Sequence, residues 1–102
     1  MKPLNVQRRA LRDMVDARAF YLQEAPHMVA DLARRLDDAL LHIQQYPATG
    51  SPRYSLKLGV AGLRSWPLNQ FPYVIFYRTE NARVNVLRVL HQNSNIPAHL
   101  QG

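Results

Sequence analysis

Two runs of β-branched and aromatic residues dominate the hydrophobic pattern of the chain, both within Gln70 to Gln92, QFPYVIFYRTENARVNVLRVLHQ. Tyr73, Val74, Ile75, Phe76 and Tyr77 form the first, bounded by Pro72. Val84, Val86, Leu87, Val89 and Leu90 form the second. The polar stretch Thr79-Glu80-Asn81-Ala82-Arg83 between them has the length of a hairpin connection. Alternation sets Tyr73, Ile75 and Tyr77 on one face and Val74, Phe76 and Arg78 on the other. In the second strand it sets Val84, Val86, Arg88 and Leu90 opposite Leu87, Val89 and His91. Both faces are largely apolar, and a sheet apolar on both sides needs cover on both.

Helical periodicity fills the first half. Residues 9–24 place Ala10, Met14, Ala17 and Tyr21 on one side, with Leu11, Val15 and Leu22 widening the stripe. Pro26 suits the first position of a second helix, which runs to about Tyr46. Its stripe is Val29, Leu32, Ala33, Leu36, Ala39, Leu40 and Ile43. On its polar face, Asp31–Arg35 and Arg34–Asp38 have the spacing of ion pairs. That spacing also accounts for Asp37-Asp38 better than an acid/base pair does. Pro47 and Gly50 end the helix. Leu4 to Arg8 reads as a short strand and residues 62–68 as a longer one, with Pro67 marking an edge or a bulge. The connection 48–60 is expected to be partly extended over Tyr54 to Leu58, and the polar tail from Asn93 to Gly102 loosely held.

The predicted fold is a single α+β domain spanning residues 1–102, in the order β-α-α-β-β-β. A helical hairpin packs on one face of a small antiparallel sheet. The second face then needs cover from a partner or from the connection 48–60, and the partner is the favoured expectation.

Composition narrows the setting. The chain has 102 residues and no cysteine, which excludes disulfides and thiolate metal sites. The N-terminus lacks the apolar core of a signal peptide, and no apolar run approaches the ~20 residues of a membrane span. A cytoplasmic location without membrane attachment is expected. Residues 1–46 hold seven Lys/Arg against six Asp/Glu, whereas residues 47–102 hold six against Glu80 alone. The strand-rich half therefore carries the positive field that attracts nucleic acid, a ribosome or an acidic protein segment.

Motifs for phosphate cradling, zinc hydrolysis and serine or cysteine nucleophiles are absent. His27, His42, His91 and His99 show no i, i+4 spacing, so neither metal nor cofactor is expected. His42 reads as a boundary residue and Trp66 as a core or rim anchor. Arg64 and Arg88 stand out as arginines embedded in apolar strands, costly unless paired or facing a wet groove. His91, at the end of the last strand, is the other candidate. The alternative for both arginines is pairing with carboxylates or carbonyls at the sheet rim.

Gly62-Leu63-Arg64, Phe71 to Arg78 (FPYVIFYR) and Val86 to His91 (VLRVLH), preceded by Tyr46-Pro47 and Gly50 at the helix-to-strand junction, resemble the ParE/RelE superfamily of bacterial toxins. The match spans nearly the whole chain and is strongest over residues 62–91. The resemblance implies the toxin of a type II toxin–antitoxin system, held inactive by a cognate antitoxin whose C-terminal segment drapes over it. The antitoxin footprint is expected on parts of the helices and on Phe71, Tyr73, Ile75 and Tyr77. A homo-oligomer within the toxin–antitoxin complex fits the same picture. RelE-like members cut mRNA in the ribosome, and ParE-like members inhibit DNA gyrase. Arg64 and Arg88 match arginine positions of RelE-like sites, and His91 falls where some branches place a late histidine. This chain departs from those sites: no tyrosine follows Tyr77, Lys57 stands alone rather than in a lysine pair, and no carboxylate lies between Asp38 and Glu80. A nuclease must take the 2′-hydroxyl proton and stabilise charge on the phosphate. The tyrosine-rich YVIFYR and the RVLH ending look more like ParE. The expectation is a gyrase inhibitor that acts by binding, with Arg64, Arg88 and His91 touching the target. A ribosome-dependent mRNA endonuclease using those three residues, and an inactive member that only binds its antitoxin, are the alternatives.

Overall fold

The computed structural model describes residues 1–101. β1 (Leu4–Val6) leads into α1 (Arg8–Glu24), and a 3₁₀ turn over Pro26–Met28 enters α2 (Val29–Gln45). A second 3₁₀ turn (Pro47–Thr49) precedes α3 (Arg53–Leu58). Then come β2 (Arg64–Pro67), β3 (Tyr73–Glu80), β4 (Arg83–His91) and α4 (Ile96–Gln101). The sheet order is β1-β4-β3-β2. The predicted antiparallel sheet holds for β2, β3 and β4, but β1 joins parallel to β4, with Leu4 opposite Val84 and Val6 opposite Val86. The α-helical excursion returns the chain to the same sheet in the same direction, which a parallel pair requires. No helix among the described residues is long and apolar enough to cross a membrane.

Prolines and close turns set the element ends. Ala25 N–H closes α1 on Tyr21 C=O, and Pro26 then opens the next turn, where its missing N–H goes unneeded. Asn81 and Ala82 both take positive φ, 54° and 62°, so β3 and β4 meet in a tight two-residue turn whose twist matches the strands. The connection is thus shorter than the five-residue polar stretch suggests, because Thr79, Glu80 and Arg83 are already in the ladder.

α1 and α2 cover one face. Ala10 and Ala17 are small enough to bring α1 close over the sheet, and Leu32, Leu36, Ala39 and Ile43 of α2 meet Ile75, Tyr77, Val84, Val86 and Val89 in one core. His42 stacks on Trp66 at 4.2 Å, so Trp66 is the rim anchor between α2 and β2. A bulge corrects the predicted faces of β4. Phe76 pairs with Arg88 and Tyr77 with Val86, leaving Leu87 as the extra residue. Val84 and Val86 therefore share the helix-covered face with Val89, while Arg88 and Leu90 turn to the other.

The chain covers that second face itself, which corrects the expectation that a partner does so. Leu63, Phe76, Leu90 and Ile96 are buried together, flanked by Tyr54, Val60, Val74, Leu87 and Leu100. Tyr54 meets Phe76 edge-on at 5.2 Å. Residues 53–58 are helical rather than extended because Tyr54 and Leu58, four apart, both turn toward the body of the protein while Arg53, Leu56 and Lys57 remain outside. The tail, expected to be loose, forms α4 and is anchored by Ile96, 6% exposed.

Candidate partner-binding surfaces

Arg64 lies on β2 opposite Tyr77, on the helix-covered side. Its Nη1 donates to Gly50 C=O at 2.7 Å, while the Tyr77 hydroxyl donates to Pro47 C=O at 2.7 Å and accepts from Gly50 N–H at 3.0 Å. These bonds tie the α2–α3 junction to the sheet. Burial raises the Tyr77 pKa above 10.0, with Gly50 N–H and the Arg64 charge pulling the other way.

Arg88 holds Asp13 of α1 through two nearly parallel bonds, Nε to Oδ2 at 2.8 Å and Nη2 to Oδ1 at 2.9 Å. Asp13 Oδ2 also accepts Val89 N–H at 2.9 Å, so one carboxylate caps the β4 edge where β1 has ended. Arg88 Nη1 reaches His99 C=O at 3.2 Å, linking α4 to the same point. The hydrogen bonds that Arg88 donates to Asp13 raise its pKa above the ordinary value, against a smaller lowering by burial, and the Asp13 charge adds to the rise. Asp13 therefore serves Arg88 across the fold, a pairing with no local sequence signal. On α2, Asp31 pairs with Arg34, and Arg35 reaches Gln70, in place of the expected i, i+4 pairs.

His91 ends β4 with its ring edge-on to Tyr73 at 5.5 Å. Its Nδ1 accepts Asn93 N–H at 3.0 Å, and its carbonyl accepts from Ser94. Arg88 and His91 share a cleft of about 440 Å³ with Asp16, Phe20, Tyr73 and His99. Arg64 does not line it; it sits across β3, with its side chain tied to the α2–α3 junction. The structure thus brings together two of the three candidate residues. Among the described residues, no group of three or more His, Asp or Glu side chains is placed to hold a metal ion.

The expected antitoxin footprint on β3 is not a free surface. Ile75 and Tyr77 are fully buried and Phe71 is 4% exposed, all inside the core that α1 and α2 cover. Tyr73 alone of the four is partly exposed. The open apolar surface lies instead between α1 and α2, as a groove of about 250 Å³ lined by Leu11, Met14, Val15, Val29, Ala33 and Leu36, with Arg18 and Asp37 beside them. Leu11 and Val15 are 51% and 64% exposed. The signal for it was in the sequence: Leu11, Val15 and Leu22 make the α1 stripe wider than one sheet face can bury.

Residues 4–96 match the family described as the ParE toxin of type II toxin–antitoxin systems, parDE. The chain is 36% identical over 101 residues to Toxin ParE1 of Caulobacter vibrioides, covering 98% of this chain and 99% of that protein. Its fold is similar to a solved chain of the chromosomal ParDE toxin–antitoxin system from P. aeruginosa, with a TM-score of 0.74 at 20% identity over 89% of this chain and 96% of that one. Sequence, length and fold agree: this chain belongs to the ParE toxin family of type II toxin–antitoxin systems.

Proposed function

We propose that the chain arrests growth by binding DNA gyrase in the cytoplasm, without cutting a substrate, and that a cognate antitoxin relieves the arrest. What supports binding over catalysis is the state of the candidate groups. The Arg88 fork is filled by Asp13, Arg64 is bound to Gly50, and the Nδ1 lone pair of His91 is taken by Asn93 N–H. A neutral imidazole that accepts at Nδ1 carries its proton on Nε2, so His91 has no free lone pair with which to act as a base. Arg64, Arg88 and His91 enter this reading as groups that support or border the gyrase contact.

The groove between α1 and α2 fits the apolar side of an amphipathic antitoxin helix, with Arg18 and Asp37 at its rim to orient polar residues. The free protein exposes Leu11 and Val15 there. Val15→Glu should weaken antitoxin binding by about tenfold or more, the effect of losing a central interface contact, and leave growth arrest intact.

Two assays on the purified chain test the proposal: supercoiling by gyrase, and mRNA integrity in translating ribosomes. Blocked supercoiling with intact mRNA supports it. Ribosome-dependent cleavage that His91→Ala abolishes in a folded protein replaces it with the endonuclease reading.

A further inference from the structure

The second sheet face carries a surface that neither the antitoxin groove nor the gripped arginines account for. Residues 47–72 and 92–101, which include its α3 and α4 cover, contain no Asp or Glu. On α3, Arg53, Leu56 and Lys57 share the outward side. Arg53 lies over the Tyr54 ring at 4.9 Å and donates to its hydroxyl at 3.4 Å, and neither Arg53 nor Lys57 has a carboxylate partner among the described residues. Leu56, one turn along from Arg53, is 86% exposed, more than any other large hydrophobic residue described. Beside α3 runs a cleft of about 370 Å³, with Ser51, Arg53, Tyr54, Ser65, Val74 and Ile96 among its walls.

A lone exposed leucine is ordinary. A leucine one turn from an arginine and followed by a lysine, neither cation paired with a carboxylate, on a helix whose flanking segments lack Asp and Glu and next to a cleft, is a different arrangement. Its apolar tip gains by leaving water, and its cations gain by meeting negative charge. Nucleic acid would satisfy the cations but offers little to a protruding leucine. An acidic protein surface with an apolar recess satisfies both. We infer that α3, through Arg53, Leu56 and Lys57, is the surface by which this toxin grips an acidic protein target, separate from its antitoxin groove. The inference rests on the reading of the chain as a toxin that acts by binding. It holds whether or not the target is gyrase.

The tyrosine and Leu58 that seat α3 are left untouched in the test. Leu56→Lys and the double variant Arg53→Glu/Lys57→Glu are compared with wild type for growth arrest on induction, antitoxin affinity by calorimetry, and gyrase inhibition. Both variants should bind antitoxin within about twofold of wild type, which also reports that they fold. Both should lose growth arrest, with target affinity down about tenfold or more. Wild-type growth arrest without gyrase inhibition, with arrest lost in both variants, would remove gyrase as the target and leave the α3 surface standing. Full growth arrest by either variant overturns the inference; arrest retained by Leu56→Lys alone would point to a polyanion rather than a protein recess. Weakened antitoxin binding in both variants would assign α3 to the antitoxin and overturn it too. A wild-type chain that arrests no growth overturns it together with the toxicity on which it rests.

Discussion

Gly50 and Tyr77 are built around each other. The glycine N–H donates to the tyrosine hydroxyl at 3.0 Å, and a Cβ on Gly50 would occupy the place of that hydroxyl and crowd ring carbon Cζ at 2.9 Å. Gly50 has an ordinary φ of −66°, so its requirement is space rather than backbone conformation. Gly50→Ala should destabilise by about 1–3 kcal/mol through overpacking. Tyr77→Phe should lose a similar amount by leaving Gly50 N–H and Pro47 C=O without their partner. Because Tyr77→Phe also removes the obstructing oxygen, the double variant should be less destabilised than the sum of the two. Urea denaturation of the four proteins measures that coupling.

Alkaline pH probes the same residue. The folded-state pKa of Tyr77 lies above 10.0, chiefly through burial, and that of Tyr73 is raised by burial and by Tyr21. The unfolded chain therefore gives up these protons at lower pH than the folded one. Stability from these groups is complete below about pH 10 and falls as pH rises through the unfolded value toward the folded one. Melting temperature against pH should drop above pH 10, and Tyr77→Phe should flatten that drop.

Asp13 accepts from Arg88 Nε, Arg88 Nη2 and Val89 N–H, and leaves only Arg88 Nη1 to His99 C=O. Asp13→Ala removes the only carboxylate on the Arg88 guanidinium, whose side chain is 15% exposed and keeps just the Nη1 bond to His99 C=O, and leaves the Val89 N–H at the bare β4 edge without its acceptor. The expected loss is about 3 kcal/mol, as for breaking a largely buried pair. Arg88→Met leaves Asp13 one partner and should cost less. Thermal unfolding of both variants ranks them; equal losses would contradict the edge-capping role of Asp13.

Ala82 occupies the left-handed region at φ 62° with a Cβ that this region disfavours. Ala82→Gly turns Asn81-Ala82 into the Asn-Gly pair that such turns prefer and should stabilise by up to about 1 kcal/mol, after the greater flexibility of the unfolded chain is allowed for. Equilibrium denaturation checks the sign.

Long periodic segments made much of this fold legible. α2 announces itself through Val29 to Ile43, and β3 through Tyr73 to Tyr77. What stayed hidden depends on distant partners or single insertions. Leu87 sits in a run of Val and Leu that reads the same with or without a bulge, yet the bulge decides which face Val89 takes. Tyr54 to Leu58 alternates like a strand, and only the presence of Phe76 beneath Tyr54 makes a helical turn the better packing. Arg64 and Arg88 were visible as unusual, but their partners Gly50 and Asp13 lie 14 and 75 residues away, with no pattern linking them. The α1–α2 groove was foreshadowed by an overwide stripe; its openness follows from how the two helices sit on the sheet.

Action by occupying the target, as proposed for this toxin, leaves one assay decisive. Titrating the purified chain into a gyrase supercoiling reaction tests it most directly. Supercoiling should fall progressively as toxin is added and recover when the antitoxin follows. Supercoiling that proceeds unchanged under a large excess of folded toxin would contradict it.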